Sequence, residues 1–85
     1  MAISTPGWLA DRGGALARDY DGRTWLVLLN GSPQYKLIPH PVGGQFGCQI
    51  IQTVNGKQLD KGAEYPSADD AIAGGLSELR DVLGW

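Results

Sequence analysis

Three dipeptides, Asp21-Gly22, Asn30-Gly31 and Asn55-Gly56, constrain the fold of this chain more than any other feature of its sequence. Asn, Asp and Gly accept the left-handed backbone that a two-residue hairpin loop requires, Gly most easily of the three. Each pair is flanked by aliphatic, aromatic or β-branched residues, which are typical of strands. Three such loops predict an antiparallel meander of four to five strands, at about residues 15–20, 23–30, 34–39, 45–55 and 57–61.

The C-terminal segment 67–83 predicts one long α-helix. Ser67 is a good N-cap, Asp69 and Asp70 complement the helix dipole in the first turn, and Gly84 follows the last turn. One apolar stripe recurs at helical spacing and consists of Ile72, Leu76, Leu79 and Leu83.

Two glycines interrupt this helix, although each costs about 1 kcal/mol relative to alanine. By helical angle, Gly75 flanks the apolar stripe, whereas Gly74 faces away from it. We therefore expect a close approach of helix and sheet at Gly75, in preference to a second contact surface at Gly74.

A short N-terminal helix is also predicted, with Thr5 as N-cap, Pro6 at its first position and a stop at Gly13-Gly14. The fold class expected is α+β: a twisted antiparallel sheet packed on one C-terminal helix. At 85 residues the chain has room for a single domain, residues 1–85, with one core.

The position of a two-residue loop determines which residues of the two strands lie opposite each other, and directly opposed residues share a face of the sheet. A two-residue loop at Asp21-Gly22 places one set together: Leu16 opposite Val27, Arg18 opposite Trp25 and Tyr20 opposite Arg23. The opposite face carries Ala15, Ala17, Asp19, Thr24, Leu26 and Leu28, and its small alanines would let a helix approach closely.

The same reasoning at Asn55-Gly56 predicts a second hairpin with one apolar face. It places Val54 opposite Lys57, Gln52 opposite Leu59 and Ile50 opposite Lys61, with Phe46 and Cys48 on the same side. Cys48 is therefore expected to be a small buried hydrophobic residue.

Residues 25–29 are apolar on both faces, which indicates a strand covered on both sides. Only one long helix is available. The second cover would be the segment at Trp8 and Leu9, the terminal Trp85, or another protein molecule.

The Trp25 face, with its aromatic and basic neighbours, has the composition of a binding surface. The candidate binding residues are Arg18, Tyr20, Arg23, Trp25, Tyr35 and Lys36. We expect a non-catalytic domain that associates through an open sheet face or edge, with itself or with another protein. The alternative is a single-strand nucleic-acid binder that uses these residues, and a third possibility is an inhibitor protein of a phage or mobile element.

Catalytic and metal chemistry find little support in the sequence. His40 and Cys48 could form a catalytic dyad, but no carboxylate partner for it is evident. Asp69 and Asp70 are explained by their position in the first turn of the helix. We therefore expect no enzyme activity, no cofactor and no metal.

The composition supports these expectations. The net charge of -2 disfavours a generic duplex-DNA binder, and residues 1–40 carry +1 against -3 for the remainder. No signal-peptide or membrane-spanning run is evident, and a single cysteine excludes an internal disulfide. We expect a cytoplasmic protein with no membrane partner.

Residues 44–75 resemble two families through Phe46, Asn55-Gly56-Lys57, Tyr65-Pro66-Ser67 and Ala71. One family is the small bacterial strand-strand-helix repeat domains. The other is the DNA-binding arm domains of phage integrases. The pattern is generic to strand-strand-helix units, so the resemblance carries no functional residue to this chain.

Overall fold

The computed structural model describes residues 5–60 and 62–85. Its elements in chain order are α1 (Gly7–Ala10), β1 (Gly14–Arg18), β2 (Trp25–Leu29), β3 (Ser32–Val42), β4 (Gln45–Gln52), β5 (Glu64–Tyr65) and α2 (Ala68–Leu83). The five strands form one sheet in the order β1-β2-β3-β4-β5, and all neighbours are antiparallel. The α+β class, the meander and the C-terminal helix are therefore confirmed.

The first hairpin has the expected register over its strands. Arg18 pairs with Trp25, and Leu16 pairs with Val27. The Asp19 N–H keeps this register by donating to the Thr24 carbonyl at 2.8 Å. Beyond it, the Asp21 carboxylate accepts hydrogen bonds from the backbone N–H groups of Arg23 and Thr24, each at 2.8 Å. This Asx turn replaces the predicted pairing of Tyr20 with Arg23.

The second hairpin turns through Asn30 and Gly31, whose φ angles of 53° and 80° are those of a primed turn. A β-bulge interrupts the pairing of β2 with β3 between Val27 and Leu28 and leaves Gln34 as the extra residue. Thr53 holds the bulge, because its N–H donates to the Gln34 carbonyl at 2.9 Å.

The third predicted hairpin, at Asn55-Gly56, is not formed as expected. The chain beyond β4 makes one isolated bridge, Ile51 with Gln58, two residues out of the predicted register. The Asn55 side chain accepts from the Lys57 N–H at 2.9 Å, which favours a longer turn over a two-residue loop. The predicted strand 57–61 is therefore not formed over 57–60, and Lys61 lies outside the described residues. The fifth strand is instead β5.

Strand β3 continues beyond its predicted end at Pro39, through His40 and Pro41, to Val42. Strand β2 pairs with β3 only as far as Leu37, so one side of β3 is a free edge beyond that point. Proline is tolerated at such an edge because it has no N–H to donate.

Helix α2 begins and ends as expected. The Ser67 hydroxyl accepts from the Asp70 N–H at 3.1 Å, and Gly84 closes the helix in the left-handed conformation with φ 74°. A Cβ atom built on Gly75 would lie 2.5 Å from the Cys48 sulfur, which confirms the close approach expected there. Gly74, expected to face away from the sheet, lies instead against the Tyr65 ring.

The N-terminal segment packs on the same face of the sheet as α2. Leu9 of α1 is fully buried and packs over Gly14, where a Cβ would meet its side chain. Trp8 and Trp85 form an edge-to-face pair with ring centroids 6.1 Å apart. Thr5 is not the helix cap, because its hydroxyl accepts from the Leu16 N–H at 3.1 Å instead.

The helices therefore pack on the Trp25 face of the sheet. The core contains Leu9, Val27, Tyr35, Leu37, Cys48, Ile50, Ala71, Ile72, Leu76 and Leu79. The suggestion that the alanine face would receive a helix is wrong. Helix α2 contacts β3, β4 and β5 on the Trp25 face, whereas Ala15 and Ala17 pair with Leu28 and Leu26 and therefore lie on the opposite face.

Candidate functional site

The sheet face opposite α2 is uncovered by either helix of the described chain, and we call it the open face. The registers of β1 to β5 place on it Ala15, Ala17, Leu26, Leu28, Pro33, Lys36, Ile38, His40, Val42, Gln45, Gly47, Gln49, Ile51 and Glu64. Leu26, Leu28, Ile38 and Ile51 are half-buried. None of these four side chains belongs to the core or to the partly buried hydrophobic residues packed against it.

The bulge and the strand registers bring the apolar side chains of the open face together. Leu26 pairs with Lys36, and Lys36 pairs with Ile51, so that one row crosses three strands. Ile38 follows two residues after Lys36 on β3 and therefore points to the same side. The Lys36 side chain is exposed between these apolar neighbours, where its aliphatic stem can extend over them.

A cleft of about 330 Å³ lies on the other side of the sheet, between the β1–β2 turn and the start of α2. It is lined by Arg18, Gly22, Arg23, Trp25, Pro39, Pro41, Phe46, Ala68, Asp69 and Ile72. We call it the arginine cleft. The Arg18 guanidinium lies over the Trp25 ring, 4.8 Å from its centroid, in a cation–π contact that follows from their cross-strand pairing.

The six binding residues predicted from the sequence do not form one platform. Arg18, Arg23 and Trp25 line the arginine cleft. Tyr20 is fully exposed in the adjacent turn, Tyr35 is buried in the core at 8% exposure, and Lys36 lies on the open face.

Cys48 and His40 point to opposite sides of the sheet. The Cys48 sulfur packs against Gly75 of α2, whereas the His40 ring lies beside Gly47, on the open face. Desolvation, with smaller contributions from the Glu78 and Asp60 carboxylates, raises the pKa of the Cys48 thiol to about 12. This geometry does not bring the thiol and the imidazole together as a dyad.

The Asp21 carboxylate organises the turn beside the arginine cleft. It accepts from the Thr24 and Arg23 N–H groups and from the Thr24 hydroxyl, the last at 2.7 Å. These bonds, first that from the Thr24 N–H, lower the pKa of Asp21 to about 2. Thr24, buried at 5% exposure, thus has a partner for its hydroxyl, and the turn holds Arg23 at the mouth of the cleft.

Within 5–60 and 62–85, no group of three His, Cys, Asp or Glu side chains is placed to hold a metal ion. Neither helix in that part of the chain has the length and apolar character needed to cross a membrane.

Sequence reasoning missed two parts of these sites. The apolar row of the open face depends on how β2, β3 and β4 pair, and the contributions of Pro39, Pro41 and Phe46 to the cleft depend on the continuation of β3. The sequence signal for the first was present in the alternation of Lys36, Ile38 and His40 along one strand.

No protein-family model, curated protein or solved structure matches this chain.

Proposed function

We propose that this chain is a small non-catalytic interaction domain that associates with a second copy of itself through the open face of its sheet. The observation that carries the proposal is the cluster of Leu26, Leu28, Ile38 and Ile51 on a face that neither helix covers. Apolar side chains clustered on an uncovered sheet face support an interaction surface there.

The shape of this surface favours a sheet as its partner. Two antiparallel sheets pack face to face about 10 Å apart, with their side chains interdigitated. An identical open face offers the same flat arrangement of aliphatic side chains. Stacking the two faces would produce a symmetric four-layer dimer, helix-sheet-sheet-helix, in which each apolar row is removed from water.

The charges of the open face are compatible with such pairing. The strand registers place on this face one acidic residue, Glu64, which pairs with Gly47, and one basic residue, Lys36. Its long side chain can extend to the rim of an interface while its stem stays against apolar neighbours. An apolar centre with a polar rim is the usual anatomy of a protein interface.

The size of the face sets the strength of the association. Four strands at about 4.8 Å spacing and five residues at about 3.3 Å per residue give a surface of roughly 15 by 17 Å. Two such surfaces bury less than the roughly 1,200 Å² of a standard interface, so the dimer should be weak and reversible.

Amide chemical shifts measured by NMR across a dilution series test the proposal. We expect concentration-dependent shifts at Leu26, Ile38 and Ile51, with little change at Leu76 and Leu79 on the buried side of α2. Shifts confined to the helical layer, or none up to millimolar concentration, would contradict it.

A further inference from the structure

We propose that the arginine cleft binds the carboxylate-bearing apolar end of a partner peptide. This site lies on the helix side of the sheet, opposite the open face, so the inference goes beyond the proposed self-association. Each can fail without the other.

The walls of the cleft are apolar and stiff. Trp25, Phe46 and Ile72 contribute side chains, and Pro39 and Pro41 contribute rings whose backbone φ is fixed. A surface that is already rigid loses little conformational entropy when a ligand binds. The volume of about 330 Å³ is at the lower end of the range for ligand sites, which suits one residue-sized group.

The charges at the cleft favour one negative group. Arg18 and Arg23 contribute two guanidinium groups and Asp69 contributes one carboxylate, so the lining carries a formal charge of +1. A guanidinium binds a carboxylate through two parallel hydrogen bonds, a geometry that gives both strength and orientation.

The surroundings of the cleft disfavour a polyanion. Asp19 and Asp21 lie in the turn that carries Arg23, and Asp70 follows Asp69 in the first turn of α2. A nucleic-acid strand leaving the cleft on either side would meet these carboxylates. Single-strand binders instead surround their strand with a continuous positive groove. A single carboxylate beside an apolar side chain fits this distribution better.

The surroundings of the Trp25 ring favour a compact ligand over stacked nucleic-acid bases. The ring packs against the core, and Arg18 occupies a position over its face. An incoming carboxylate can bind the guanidinium without displacing it from the ring, whereas a base stacked directly on Trp25 at that face would have to displace it.

The test uses a matched pair of probes, N-acetyl-phenylalanine and N-acetyl-phenylalanine amide, which differ in whether the terminal group is charged. Binding is followed by NMR through the indole N–H of Trp25 and the amides of residues 22–25. We expect saturable shifts with the carboxylate and at least about tenfold weaker binding of the amide.

Three variants locate the effect. Arg18→Gln and Arg23→Gln should each weaken binding of the carboxylate by roughly tenfold. Lys36→Gln, an equal loss of charge on the open face, should leave affinity unchanged. Circular dichroism checks that each variant is folded.

Two results would overturn the inference: equal affinity for the two probes, or weakening by Lys36→Gln as large as that by Arg18→Gln. Oligothymidylate serves as the polyanion arm of the test. Binding of that strand with affinity that falls steeply with salt, and without carboxylate binding, would assign the cleft to nucleic acid and contradict a peptide site.

Discussion

Leu26 lies directly opposite Lys36 on the open face, and Lys36 lies directly opposite Ile51, so that one basic residue separates two aliphatic residues in a row across the sheet. The row is uncovered although the same strands are fully buried on their other side at Val27, Leu37 and Ile50. The sheet is therefore asymmetric, with one face closed by the helices and one face open.

The contact of Gly75 with Cys48 should make even a single added methyl group costly. Gly75→Ala gains helix propensity of about 1 kcal/mol, but it forces the Cys48 side chain or the helix to move, at a cost of about 1–3 kcal/mol. We expect the free energy of unfolding to stay level or fall by up to about 2 kcal/mol in urea denaturation. Ser77→Ala, at an exposed helix position, should be neutral or slightly stabilising. A clear gain in stability for Gly75→Ala would contradict this packing.

Trp8 and Trp85 should be energetically coupled. Their edge-to-face contact predicts a coupling free energy of about 0.5–1.5 kcal/mol in a double-mutant cycle of Trp8→Ala and Trp85→Ala. Urea unfolding of the two single variants and the double variant measures it. A control cycle of Trp8→Ala with Val54→Ala, whose second residue is an exposed loop position, should give no coupling. Additive effects of the two tryptophans would show that their ring contact does not contribute.

The turn at Asp21 should lose stability in acid. Because the folded pKa of about 2 lies below the ordinary value of 3.8, the ionised carboxylate favours the folded turn. This contribution is complete above pH 3.8 and is lost as the pH falls through about 2. An NMR titration of the Thr24 amide should therefore show a midpoint near pH 2, absent in Asp21→Asn. A midpoint near 4 would mean that the hydrogen bonds to Asp21 do not form in solution.

Cys48 should resist thiol reagents in the native protein. Its side chain is buried at 5% exposure and its pKa is raised to about 12, so both access and the thiolate fraction are low. We expect labelling by a disulfide reagent at neutral pH to be slow and to accelerate in urea as the protein unfolds. An introduced cysteine at exposed Val54 in a Cys48→Ala background is the accessible control. Rapid labelling of native Cys48 would contradict its burial.

Sequence reasoning succeeded where local signals determine the structure. The Asp21-Gly22 dipeptide correctly predicted the pairing of Arg18 with Trp25. Ser67 and Gly84 correctly predicted where α2 begins and ends. It failed at Asn55-Gly56, because the Asn55 side chain accepts from the Lys57 N–H and the Gly56 N–H donates to the Gln52 carbonyl. These bonds stabilise a longer turn that the dipeptide alone does not reveal.

The choice of sheet face for α2 required tertiary information. Strand β2 is apolar on both sides, so its own pattern does not say which side the helix covers. The decision rests on β3 and β4, where Leu37, Cys48 and Ile50 share a face with room for Gly75 to approach. The arginine cleft likewise depends on the path of Pro39 and Pro41, beyond the predicted end of β3.

Molar mass measured by light scattering, from micromolar to millimolar protein, reports on self-association through the open face. The molar mass of the wild-type protein should increase with concentration from 9.1 kDa toward twice that value. Ile38→Glu, which buries a charge in the proposed interface, should remain at the monomer mass, whereas Val54→Glu, at 78% exposure in a loop, should behave as wild type. A wild-type chain that stays at 9.1 kDa over the whole range, or an Ile38→Glu variant that associates equally well, would contradict self-association through the open face.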